Sequence, residues 1–63
     1  MKTEYLIAAK DQFNNAEKSL VMAVIALQMS EGDFEKTIKE IKETIGDLRI
    51  AIEVIEDRLP GIA

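Results

Sequence analysis

Apolar residues recur along this chain at alternating intervals of three and four. One run is Leu6, Ala9, Phe13, Ala16, Leu20, Ala23 and Leu27, and a second is Phe34, Ile38, Ile41, Ile45, Leu48, Ile52, Ile55 and Leu59. This spacing keeps one stripe of an α-helix turned toward a partner helix. The residues between the runs mark where the helices begin and end. Thr3 is placed to cap the first helix, with Glu4 in the first turn where a negative charge suits the helix dipole. Gly32 is expected to end that helix in a left-handed conformation, and Asp33 to cap the next at once. Pro60 and Gly61 close the second helix, because Leu59, which precedes a proline, is pushed out of helical geometry. The predicted helices run over about 4–30 and 34–58. So short a connection folds them into an antiparallel hairpin, an all-α fold in one domain, 1–63.

The two stripes differ in bulk. On the first helix Leu6, Phe13, Leu20 and Leu27 alternate with Ala9, Ala16 and Ala23, whereas the second is large throughout. Alternating bulk lets facing layers interdigitate, so both stripes are expected to form the hairpin core. A second apolar set lies off the stripes: Val21, Met22, Ile25 and Met29 near the turn, and Ile50 and Val54 near the open end. Left in water these residues would be a liability. An antiparallel two-fold homodimer would set the patch near one copy's turn against the patch near the other's open end, giving a four-helix bundle. The same methionines, Met22 and Met29, could instead line an adaptable groove for another protein.

Size points the same way. A chain of 63 residues buries only about 60% of its unfolded surface, and natural proteins this small lean on disulfides, a metal or oligomerisation. With no Cys and no His, disulfides and a zinc site are out, and oligomerisation remains. The net charge is -4, a dimer doubles it, and basic residues are scattered among acids, which argues against nucleic acid and acidic membranes as partners. The longest wholly apolar run, Leu20 to Leu27, is far short of the ~20 residues that span a bilayer. It follows mostly polar residues, including Asn14, Asn15, Glu17 and Lys18, so a cytoplasmic protein is expected.

Candidates for chemistry are few. Ser19 and Ser30 have no His to activate them and no glycine-rich phosphate loop is present, so no catalytic residue is assigned. The carboxylates Glu40, Glu43 and Asp47, and again Glu53, Glu56 and Asp57, fall along one side of the second helix. Acids at that spacing can hold Mg²⁺, and they are also what a solvated helix face looks like. Glu35 with Lys39, and Arg49 with Glu53, stand i to i+4 and are expected to add local support. Gly46, in the middle of the second helix, costs ~1 kcal/mol relative to alanine, which points to a close helix crossing or to inheritance.

Glu43-Thr44-Ile45-Gly46-Asp47-Leu48, followed by Ile50, Ile52 and Ile55, resembles the second metal-binding helix of the MazG-like all-α nucleoside triphosphate pyrophosphohydrolases. The resemblance implies dimers whose helical hairpins combine into four-helix bundles. It also implies Glu43 and Asp47 as the Mg²⁺ ligands, matching the first Glu and the Asp of the family's Glu-Glu-apolar-small-Asp pattern. Thr44 stands where the key second Glu belongs. The family's other motif, Glu-Glu-x-x-Glu, would fall on Lys18, Ser19 and Met22, none of them acidic. Without those carboxylates Mg²⁺-dependent hydrolysis is not expected, and the resemblance implies a catalytically inactive relative with Mg²⁺ as cofactor only if hydrolysis survives. In shape the chain is also similar to the repressor-of-primer type of RNA-binding hairpin dimer. That type needs basic side chains on the first helix, where here Lys10 and Lys18 are interspersed with Asp11 and Glu17.

The reading that follows is an acidic helical-hairpin homodimer acting as a protein interaction or regulatory module, of the kind used as accessory or inhibitory factors by phages and mobile elements. The alternatives are a degenerate MazG-like nucleotide-binding protein or pyrophosphohydrolase, and an RNA-binding hairpin dimer.

Overall fold

The structure, a computed structural model, describes residues 3–59. Two helices, α1 (Thr3–Met29) and α2 (Glu35–Arg58), pack as an antiparallel hairpin. Thr3 is itself helical. Pro60 and Gly61 lie outside the described residues, but Leu59 behaves as the residue before a proline should. Its φ of -76° and ψ of 129° are extended, and its N–H donates to the carbonyls of Ile55 and Glu56.

The turn is built differently from expectation. Ser30 closes α1 by donating both its amide, at 3.2 Å, and its hydroxyl, at 2.8 Å, to the carbonyl of Leu27. Gly32 does not use the left-handed region. The space beside it is taken by the Phe34 ring, 2.5 Å from where a Cβ would stand, so a larger residue would require that ring to shift. The residue before α2 is Phe34 and not Asp33, with no side-chain cap of its own. Asp33 still serves the helix start from one position further out, accepting from the Glu35 N–H at 3.3 Å.

The core is a single seam between the helices. Ile45, Ile52 and Ile55 of α2 are buried, as is Val24 of α1. Leu6, Ala9, Phe13, Ala16, Leu20, Ala23 and Leu27 on α1, and Ile38, Ile41, Leu48 and Leu59 on α2, are half-buried along it. Phe34, which the repeat assigns to the seam, is instead 38% exposed. It stands outside α2 with its ring folded over Gly32, so it covers the turn and not the core. Gly46 answers to no crossing within the hairpin, since a Cβ there would meet nothing within 4 Å.

Candidate interaction surface

Two ion pairs fix how the helices lie against one another. Lys10 Nζ approaches Glu56 Oε2 at 2.9 Å and Arg49 Nε donates to Glu17 Oε2 at 2.8 Å. The step from 10 to 17 on α1 is matched by the step from 56 to 49 on α2, one heptad each way along antiparallel helices. All four residues directly follow a seam residue: Lys10 follows Ala9, Glu17 follows Ala16, Arg49 follows Leu48 and Glu56 follows Ile55. They therefore share one flank of the seam. Arg49 sits at the edge of α2 and reaches across to Glu17, not along its own helix to Glu53. The expected Glu35–Lys39 pair likewise is not formed, and the two cross-helix pairs are the ion pairs found among the described residues. Being partly exposed, each contributes at most about 1 kcal/mol, and their larger effect is on register.

One more heptad along the same flank, Val24 takes the position of Lys10 and Glu17 and is 7% exposed. The repeat alone does not mark it, because it is neither of the two seam positions. The available signal was its place four residues after Leu20, which widens the apolar stripe toward the ion-paired side.

The opposite flank carries different chemistry. The positions that border the seam there are Tyr5, Gln12, Ser19 and Ala26 on α1, and Thr37, Thr44, Ala51 and Arg58 on α2. Of these eight all but Arg58 are uncharged and most are small, while the next row outward holds Met22, Val54, Glu40 and Asp47. The Thr44 hydroxyl donates to the carbonyl of Glu40 at 3.1 Å, so its polar group is satisfied within its own helix.

Every residue expected to be covered by a second copy is open to solvent: Val21 36%, Met22 65%, Ile25 43%, Met29 81%, Ile50 60% and Val54 46%. Tyr5 and Ile7, at 66% and 48%, extend this apolar surface to the open end of α1. Both lie in the apolar run Tyr5 to Ala9, on either side of Leu6, and the repeat alone does not mark them.

The accessible surface measures 5063 Å², against about 4,100 Å² for a compact monomer of this 7.1 kDa mass. The radius of gyration is 14.8 Å, where 63 residues in a compact domain would give about 11 Å. No side chain reaches full burial among the described residues.

Glu43 and Asp47, the residues matched to metal ligands, stand one turn apart on the outer face of α2, both exposed. Among the described residues no three acidic side chains converge as a metal-holding group. A shallow depression at the start of α2 is lined by Asp33, Glu35, Lys36, Lys39, Lys42 and Glu43, open to solvent and of mixed charge. No helix among the described residues is long and apolar enough to cross a membrane. Comparison with known proteins finds no matching family model, no similar curated protein and no similar solved structure.

Proposed function

We propose that this chain is a protein interaction module whose working unit is a homodimer, two hairpins forming a four-helix bundle. The observation that carries this reading is the surplus of surface. The hairpin exposes roughly 1,000 Å² more than a compact monomer of its mass would, close to the ~800 Å² each partner contributes to a standard interface. Much of that surplus is made of large apolar side chains. Burying one of the size of Met22 or Ile50 contributes about 1.5–3 kcal/mol, and a chain this short has few other sources of stability. The acidic outer side of α2, with Glu43, Glu53 and Asp57 exposed, is then what the bundle offers to other molecules. The role is binding, exerted through a rigid helical surface.

Multi-angle light scattering at micromolar concentration tests the reading. The expected mass is twice the 7.1 kDa of the chain, and a cooperatively folded particle of monomer mass would overturn it.

A further inference from the structure

The hairpin has two broad faces, one on each side of its seam, and they are not equivalent. Both ion pairs lie on one of them, together with Glu35 and Lys42 in the same heptad position as Arg49 and Glu56. Covering that face with a second copy would desolvate a row of charges, four of them already paired within the hairpin. The other face carries fewer charges: Arg58 among the positions that border its seam, and Glu40 and Asp47 in the outer row that also holds Val54. It also bears the three most exposed large apolar side chains of the described chain: Met29 at 81%, Tyr5 at 66% and Met22 at 65%.

We infer that the second copy sits on this less charged face, with its turn at the opposite end. The inference rests on the dimeric reading above and specifies its geometry. Turning the second copy end for end about an axis across the hairpin lays α1 on α1 and α2 on α2. The axis passes close to Ala16, the midpoint of α1. Met22, Ala26 and Met29 of each copy then lie over the half of the other copy's α1 that carries Tyr5 and Ala8. Ala16 and Arg49 lie at nearly the same level along the hairpin, one residue from the Glu17–Arg49 pair. The same axis therefore sets Val54 of one copy over Thr44 of the other. Thr44 tolerates this, because its hydroxyl is already bonded to the Glu40 carbonyl and its methyl is what remains to be covered.

The orientation with both turns at one end is disfavoured. It would lay Met22 and Met29 over the start of α2, where Glu40 shares this face, and Val54 over Gln12 and Asn15. The extents of the hairpin, 48 by 18 Å along its broad face, give room for a standard interface of ~800 Å² per partner. Asn15, exposed on this face beside the axis, meets its own counterpart there. An amide pair at that point fixes register, as buried asparagines do in helical bundles.

The chain contains no cysteine, so single introduced thiols report cleanly on what faces what. Asn15→Cys places one on the less charged face beside the axis, and Asn14→Cys places one on the ion-paired side at the same level. Both variants are oxidised, or treated with a short bis-maleimide, and run on a denaturing gel, with light scattering on the untreated samples. The expected result is a shift of Asn15→Cys to twice its mass while Asn14→Cys stays at monomer mass. Cross-linking of Asn14→Cys alone would overturn the assignment by placing the second copy on the ion-paired face. Failure of both to cross-link in samples that still scatter as dimers would overturn the end-for-end geometry and leave the dimer standing. Monomers in the untreated samples would sink the dimer itself.

Discussion

The two flanks of the seam are made of the same helices yet solve different problems. On one, charged side chains that follow the seam residues reach across to each other, Lys10 to Glu56 and Arg49 to Glu17, and set how far one helix slides along the other. On the other, small and neutral residues leave the flank flat and its neighbours Tyr5, Met22 and Met29 bare. A flank that finishes its interactions inside one chain needs no further partner. A flank that leaves apolar area in water is stabilised by whatever removes it. A hairpin so built carries its register on one side and leaves its bare apolar side chains on the other.

Breaking the neutral flank is expected to have the largest effect. Met22→Glu puts a carboxylate into the proposed interface twice by symmetry, and should weaken the dimer by about 3 kcal/mol or more, roughly two orders of magnitude in Kd. Sedimentation equilibrium would read this directly. Val21→Glu, one residue round the helix toward the ion-paired side, sharpens the comparison and should shift the same equilibrium far less. If the two variants dissociated equally, the distinction between flanks would be lost.

Gly46→Ala comes next. A Cβ at that position meets nothing within 4 Å and the site lies away from the neutral face. The substitution should therefore stabilise α2 by ~1 kcal/mol, raising Tm by about 4–8 °C for a domain of this size. A loss of stability would mean that something outside the hairpin approaches Gly46 closely. On the charged flank, Arg49→Ala removes one partly exposed ion pair and should cost no more than about 1 kcal/mol. The loss should shrink further in high salt, as a denaturation series at two ionic strengths would show. The smallest effect is expected from nucleoside triphosphates with Mg²⁺. Thr44 replaces the acid that a pyrophosphohydrolase helix would need beside Glu43 and Asp47, so no pyrophosphate should be released. Release that Asp47→Asn abolished would reverse that expectation.

Much of the hairpin is legible in the spacing of its residues. The three-and-four repeat marks Ile45, Ile52 and Ile55, and all three are buried. The extended Leu59 follows from the proline after it. The departures each have a local cause. Val24 is covered although the repeat passes over it, because the α1 stripe widens where Leu20 to Leu27 is apolar all round. Phe34 keeps the spacing of a seam residue but precedes the first turn of α2, where a helical repeat no longer governs direction, and its ring turns to Gly32. Arg49 has acceptable partners both along its helix and across the seam, and spacing in one helix says nothing of Glu17 thirty-two residues away.

What the sequence determined by itself was periodic and local: two helices, the place of the break between them and the stripe each buries, since these depend on side chains three and four apart and on the restriction that a proline imposes on the residue before it. What only the tertiary structure decided was the pairing of the flanks. Lys10 meets Glu56, and Arg49 meets Glu17, only when one helix is set against the other at a definite height. Which residues share a face of the hairpin depends on that setting, because a face joins two helices whose relative position no local rule specifies.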